Sequence, residues 1–147
     1  MIILAVDPSV SHLGWGAIQV KPNNSAQYLA SGTIYNKPSM TLSVKLAKIF
    51  TKLDELIKIH NVTLLVTENV YLDKDLMATL SLSYARAIVI ALAGLHNMEL
   101  YEVHSSNVKK VITGSGRASK DQVKYMIETL LPQAKTDSHD ESDALAM

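Results

Sequence analysis

Two runs of consecutive apolar residues each end on a carboxylate, and they predict two buried strands. The first run covers residues 2–7 and ends on Asp7; the second covers residues 62–67 and is followed by Glu68. Short apolar runs without polar alternation are typical of parallel strands covered on both faces. A charge at the end of a buried strand is costly unless something compensates it, so the two acids suggest a shared cation.

The chain between these runs predicts a meander of strands and then an amphipathic helix. Strands are expected over residues 14–20 and 27–35, and their short spacing after the first strand favours antiparallel pairing. Leucine and isoleucine then recur at helical spacing. This pattern predicts a helix that is capped by Ser39 or Thr41 and ends near His60.

The second half of the chain predicts one further strand among four helices. The expected elements are a helix over 73–96, a strand over 100–103, and helices over 105–112, 119–131 and 138–147. The first of these helices is unusually apolar and rich in small residues, so it is either covered within the domain or used as a partner surface. The order predicts an α/β protein with a mixed five-stranded sheet flanked by helices, in a single domain over residues 1–147.

Composition narrows the class of protein. The chain has 147 residues, of which 48% are hydrophobic and 19% charged, as in ordinary globular domains. It has no cysteine, which excludes disulfides and thiolate metal sites. The longest apolar stretch is broken by Arg86 and falls short of the ~18 residues that span a membrane, so no membrane partner is expected.

Charge is balanced overall but unevenly distributed. The formal net charge is zero, which does not favour a nucleic-acid binder. Basic side chains nevertheless dominate residues 101–125, and acidic ones dominate from residue 126 onward. The basic residues of that stretch are Lys109, Lys110, Arg117, Lys120 and Lys124. This arrangement suits a polyanion beside a metal ion, and it also fits an arbitrary distribution of surface charge.

A second pair of acids completes a candidate metal site. Asp140 and Asp143 are three residues apart on the last predicted helix, so they share a face. Packed over the ends of two parallel strands, that helix brings four carboxylates together, and Mg²⁺ or a similar hard cation relieves their repulsion. Two such ions can drive phosphodiester hydrolysis. Individually, the strand-end acids also fit turn positions, and the helix acids fit a complement to the helix dipole.

Four segments in order resemble the RuvC-type Holliday junction resolvases. They are AVDPSVSHLGWGAI, LLVTENVYL, VKKVITGSGRASKDQVKYMIETLL and DESDALA, and together they extend over essentially the whole chain. The Asp-Ala-Leu-Ala ending and the Gly-x-Gly-x-x-x-Lys spacing are the most specific parts. The chain departs from the family pattern at Ser9, where Gly is common, and at Trp15, where Tyr is common.

The resemblance implies an RNase H-like fold and a homodimer that nicks four-way DNA junctions, with other branched junctions as further candidate substrates. It is also compatible with a compact member of the family, such as a bacteriophage form. It also implies an enzyme of the cytoplasm, in a bacterial cell or a phage-infected host, and names no helicase partner. The implied metal-binding catalytic acids are Asp7, Glu68, Asp140 and Asp143, holding two Mg²⁺ or Mn²⁺ ions. Family members usually continue a little beyond the last helix.

Basic and aromatic residues take further roles under the same resemblance. Lys109 and Lys120 match basic positions that contact phosphate and stabilise charge at the scissile group. Tyr71 matches an aromatic residue that stacks on exposed bases at the junction. Lys110, Arg117 and Lys124 are expected to add contacts to DNA.

Three other functions compete with this hypothesis. A protein that binds branched DNA without cutting it has no use for four acids that repel phosphate. An actin-like ATPase fragment also has a first strand ending in Asp, but it needs a Gly-Thr-rich phosphate loop, and this chain has Ser9-Val10-Ser11 instead. Another RNase H-like nuclease, acting on RNA or on DNA flaps, stays open.

Overall fold

The computed structural model describes residues 1–69 and 75–147, and this part of the chain holds one five-stranded mixed sheet. The strands are β1 (Ile2–Asp7), β2 (His12–Val20), β3 (Ala26–Tyr35), β4 (Leu64–Glu68) and β5 (Glu99–Val103). Their order is β3-β2-β1-β4-β5, antiparallel across β1, β2 and β3 and parallel across β1, β4 and β5. The predicted meander and the predicted parallel pairing of the two apolar runs therefore both occur.

Five helices complete the described part of the fold. They are α1 (Leu42–His60), α2 (Leu76–Leu95), α3 (Ser105–Thr113), α4 (Lys120–Leu130) and α5 (His139–Ala146). The start of α2 differs from the prediction of residue 73. Asp75 caps this helix by accepting hydrogen bonds from the backbone N–H groups of Met77 and Ala78. An acid near a helix start is common, so the sequence alone did not single out Asp75.

Helices cover the sheet on both faces. One cluster of buried side chains joins Leu4 and Leu65 of the sheet to Leu53 of α1 and Leu92 of α2. A second cluster is built by α4 and α5 together with residues of β2 and β3. Because both faces are covered, β1 and β4 have apolar side chains on both sides and appear as continuous hydrophobic runs in the sequence.

Two glycines let α5 lie directly on β2. A Cβ atom at Gly14 would overlap the backbone carbonyl of Asp140, and one at Gly16 would overlap the side chain of Leu145. The Gly-Trp-Gly sequence of β2 therefore sets how closely the last helix approaches the sheet. It also sets how close the acids of that helix lie to the end of β1.

Helix α2 is more apolar than the sequence estimate allowed. With 20 residues, it is the one described helix that is long and apolar enough to cross a membrane, judged by length and composition alone. The sequence estimate counted Arg86 as a break, whereas Arg86 lies within the helix and pairs with Glu102 of β5. Ala85, Val89 and Leu92 are buried in the core, so one side of α2 packs within the domain.

Candidate active site

The two strand-end acids lie side by side at one edge of the sheet. In the parallel pairing of β1 with β4, Val6 is opposite Thr67, so Asp7 and Glu68 follow at adjacent strand ends. The Thr67 hydroxyl donates a hydrogen bond to the Val6 carbonyl at 3.2 Å, which adds a buried side-chain tie to the ladder. Both acids line a cavity of about 220 Å³ at this edge.

Helix α5 supplies the second pair of acids. Its N-terminus is capped by Ser138, whose hydroxyl accepts a hydrogen bond from the backbone N–H of Glu141. Asp143 lines the same cavity as Asp7 and Glu68. Asp140 lies close enough to Asp7 for its negative charge to raise the pKa of Asp7. The structure thus places the last helix over the strand ends, as the sequence predicted.

The proximity of these groups changes the protonation of Asp7. Burial raises the pKa of Asp7 to about 7, and the neighbouring carboxylates of Asp143, Glu68 and Asp140 add to the increase. Lys120 opposes it by lowering the pKa. A carboxyl group that is desolvated among other acids is poorly stabilised in its ionised form unless a positive charge lies nearby.

Two lysines bring positive charge to the cavity. Lys120, the first residue of α4, has its Nζ 3.2 Å from the Oδ2 of Asp143. Partial burial alone would lower the pKa of Lys120, but the hydrogen bond and the charge of Asp143, with Asp140 and Asp7, raise it above its ordinary value. Lys109 of α3 lines the cavity as well. The site therefore combines acids with two ammonium groups.

The donor set of the cavity fits a hard divalent cation. It offers carboxylate oxygens, the ligands that Mg²⁺ and Mn²⁺ prefer, from Asp7, Glu68, Asp143 and the nearby Asp140. Within residues 1–69 and 75–147, no three acidic or histidine side chains converge as closely as they would around a metal ion. Asp143 is turned to Lys120 instead, which gives a physical reason for the open arrangement.

Comparison with known proteins now bears on this site. A family model described as "Crossover junction endodeoxyribonuclease RuvC" matches residues 3–147. The chain belongs to the RuvC family. Membership confirms the resemblance found in the sequence and the enzyme class of crossover junction endodeoxyribonuclease.

Individual RuvC relatives agree with this assignment. The chain is 34% identical to a Bartonella tribocorum protein over 145 residues, 99% of this chain and 84% of that one. It is 34% identical to a Rickettsia typhi protein over 148 residues, 100% of this chain and 94% of the relative. Both are named Crossover junction endodeoxyribonuclease RuvC.

Solved structures confirm the RNase H-like fold class. The structure titled "T. thermophilus RuvC in complex with Holliday junction substrate" superposes with a TM-score of 0.88 at 23% identity, covering 99% of this chain and 89% of that one. The yeast mitochondrial Holliday junction resolvase superposes with a TM-score of 0.69 at 10% identity, covering 98% and 75%. At these identities the likeness concerns the fold.

The remaining basic residues predicted from the RuvC resemblance are placed differently from one another. Lys110 and Arg117 are exposed. Lys124 does not line the cavity, and its Nζ donates to the carbonyl of Thr136 at 2.6 Å and lies 3.8 Å from a Glu128 oxygen. Tyr71 lies outside the described residues.

One buried acid of α5 was not singled out by sequence reasoning. Glu141 is 7% exposed and accepts a hydrogen bond from the Ser31 hydroxyl at 3.1 Å. The spacing Ser138-x-x-Glu141 is that of a helix capping box and was visible in the sequence. Its contact with β3 spans 110 positions of the chain, so it was not visible there.

Proposed function

We propose that this RuvC family member nicks four-way DNA junctions, and that Asp7, Glu68, Asp140 and Asp143 hold the divalent cations on which cleavage depends. The observation that carries the proposal is Asp7, a half-buried carboxyl group at the end of β1 whose pKa is raised to about 7 by burial and by three other carboxylates. Such a cluster is relieved when a cation binds. A protein that only bound branched DNA would have no use for it.

The proposed cofactor is Mg²⁺ or Mn²⁺, with two ions per site. When bound between carboxylates, such ions activate a water and stabilise the leaving oxygen of a phosphodiester. The chain's own residues do the rest. The carboxylates fix the ions at the sheet edge, and the ends of two hydrogen-bonded strands keep Asp7 beside Glu68.

Lys120 and Lys109 are proposed to act on the phosphate. Without substrate, the ammonium group of Lys120 pairs with Asp143. That pair is partly exposed, with 55% of the lysine side chain accessible, so the amine can turn to a phosphate oxygen that enters the cavity. Lys109 lines the same cavity from α3. Together they offset the negative charge that builds up at the scissile group.

Further contacts to DNA are proposed outside the cavity. The exposed Lys110 and Arg117 suit the sequence-independent attraction of the phosphate backbone. Tyr71 is proposed to stack on a base at the junction, as the family resemblance implies. For Lys124, predicted as a DNA contact, the bond to the Thr136 carbonyl better supports a role in holding the loop before α5.

A homodimer through α2 is proposed as the working form. Paired nicks in strands of like polarity require two sites related by a two-fold axis, which a dimer provides. Large apolar side chains on α2 remain exposed in the single chain; they are Leu76, Met77, Leu80, Tyr84, Ile90 and Leu95. Each protomer is proposed to be one nuclease domain over residues 1–147, acting in the cytoplasm with no membrane contact.

One experiment tests the function and its selectivity together. The protein is incubated in Mg²⁺ with labelled four-way, three-way and linear duplex DNA, beside Asp7→Asn and the matched control Asp137→Asn. Asp137 is exposed in the same acidic stretch. We expect wild type and Asp137→Asn to nick the four-way junction in pairs, and Asp7→Asn to bind it without cutting.

Two results would contradict the proposal. Cleavage by Asp7→Asn would exclude the carboxylate mechanism. Equal cleavage of linear duplex would exclude selectivity for junctions and favour another RNase H-like nuclease.

A further inference from the structure

A partly buried polar cluster joins the start of α5 to β3. The β3–α5 polar cluster consists of Glu141, Ser138, Ser31, Thr33 and Tyr28. Ser31 donates to one Glu141 oxygen at 3.1 Å, and Ser138 to the other at 3.4 Å. The hydroxyls of Thr33 and Ser138 are 2.9 Å apart, and those of Tyr28 and Ser31 are 3.1 Å apart.

A bulge in β3 brings the strand's hydroxyls to one face. Ala17 of β2 pairs with Ala30, but the next residue, Ile18, pairs with Tyr28, so Leu29 is an extra residue. Residues on one face of a regular strand are separated by two positions, and an extra residue shifts this alternation. Tyr28 thereby lies on the same face as Ser31 and Thr33, within reach of α5.

Glu141 is an unusual choice for its surroundings. A carboxyl group that is 7% exposed is costly unless its oxygens accept hydrogen bonds, and here hydroxyl groups bond both oxygens. A smaller residue would avoid this cost, because the Ser138 cap accepts the Glu141 N–H whatever that side chain is. The long side chain adds a tie between α5 and a strand that is distant in sequence.

We infer that Glu141 is a positioning residue that fixes α5 on β3 so that Asp140 and Asp143 keep their places beside Asp7. Helix α5 packs on β1, β2 and β3, and helices in proteins owe most of their stability to such tertiary packing. The glycines of β2 set its depth on the sheet. The β3–α5 polar cluster fixes its N-terminal turn, which contains Asp140 beside Glu141. This inference rests on the proposed role of the acids in holding Mg²⁺.

The alternative is that the cluster stabilises the fold and nothing else. The two roles differ in one measurable respect. A group that only stabilises the fold changes the free energy of unfolding and leaves the affinity for Mg²⁺ unchanged. A group that positions ligands changes that affinity, and losses of such outer contacts typically weaken metal binding about 10- to 100-fold.

The test uses Glu141→Ala, Glu141→Gln and Ser31→Ala in the full chain. For each, two quantities are measured: the Mg²⁺ concentration for half-maximal junction cleavage, and the Mg²⁺-dependent rise in melting temperature of the free protein. The control Ile57→Ala removes a buried side chain from α1, far along the chain from α5. It reports whether lost stability alone alters the response to Mg²⁺.

We expect Glu141→Ala to raise the required Mg²⁺ concentration about 10- to 100-fold and to reduce the Mg²⁺-dependent stabilisation. Junction binding in EDTA should remain near that of wild type. Glu141→Gln should restore much of the response, because an amide can bond hydroxyls at both of its ends. Ser31→Ala should give a smaller shift in the same direction.

The inference is overturned if Glu141→Ala loses stability as Ile57→Ala does but keeps the wild-type Mg²⁺ dependence. If Glu141→Ala does not fold, Ser31→Ala decides in the same way. A wild-type protein that shows no Mg²⁺-dependent stabilisation, or shows one that Asp7→Asn retains, contradicts the proposed function itself and removes the basis of the inference with it.

Discussion

The two pairs of acids in the candidate site are held in different ways. Asp7 and Glu68 end strands whose backbones are hydrogen-bonded to neighbours on both sides: Asp7 pairs with Gly14 of β2, and Glu68 with Val103 of β5. Asp140 and Asp143 lie on α5, whose backbone is not paired with a strand. That helix is held by its close contacts with the glycines of β2 and by the β3–α5 polar cluster. Half of the site is therefore fixed by backbone pairing, and half by side-chain packing.

The largest effect is expected from the strand-borne pair, at Asp7. In EDTA, the raised pKa means that the folded state keeps a proton which the unfolded state loses near pH 4. Stability of the wild type therefore falls as pH rises from about 4 through 7. Asp7→Asn does not lose stability in this way. Above pH 7 its free energy of unfolding should exceed that of the wild type by up to about 4 kcal/mol. Urea unfolding at pH 5 and pH 8 measures the difference.

Stability and cleavage should change in opposite directions in Asp7→Asn. The variant that is most stable without metal should be the one that cannot cleave. Equal stability of Asp7→Asn and wild type at pH 8 would show that the strand-borne acids are not in electrostatic conflict.

A second effect is expected at Lys120, the lysine that pairs with Asp143 of α5. Lys120→Ala should slow single-turnover cleavage on the order of 10²–10³-fold, because it removes the positive charge that is proposed to act at the scissile group. Junction binding should weaken far less. Lys110→Ala is the contrast, since an exposed phosphate contact should weaken binding and lower its salt dependence without slowing cleavage at saturation. Equal losses of binding and cleavage in Lys120→Ala would make it an ordinary phosphate contact.

A third effect is expected from a substitution in β2 that displaces α5. Gly14→Ala places a methyl group against the Asp140 carbonyl, so α5 must shift away from the sheet. Displacements of about 1 Å at a reacting centre can lower rates on the order of 10²-fold, and we expect a loss of that size in cleavage. Ile57→Ala, which removes a buried side chain of α1, is the control for a loss of stability alone. Wild-type cleavage by Gly14→Ala would mean that α5 tolerates displacement.

The smallest effect is expected on the other side of the sheet. The side chain of Asp54 on α1 accepts hydrogen bonds from Lys58 and His96, and these hold its pKa below the ordinary value. Asp54 contributes stability at pH values above its pKa in the unfolded chain. That stability is lost as the pH falls through the lower pKa that Asp54 has in the folded protein. Asp54→Asn should therefore lower the melting temperature slightly at pH 7 and leave cleavage unchanged. A change in cleavage would show that Asp54 affects the candidate active site as well as stability.

The contrast between backbone pairing and side-chain packing also explains which features could be predicted from the sequence. The pairing of β1 with β4 followed from two continuous apolar runs, and the shared face of Asp140 and Asp143 followed from their spacing. Contacts that join distant parts of the chain did not follow. The bond from Lys124 to Thr136 and that from Ser31 to Glu141 depend on which loops and strands meet. The Gly-Trp-Gly motif was visible as a family feature, but its reason is the approach of α5.

The ion pair between Lys120 and Asp143 has a consequence for any measured metal affinity. Since Asp143 already has a cationic partner, the proposed binding of Mg²⁺ to this carboxylate would exchange one positive charge for another. The observed constant then reports the difference between two competing interactions. A substrate phosphate that draws the lysine away would strengthen metal binding, and by thermodynamic reciprocity the metal would strengthen the hold on DNA to the same degree.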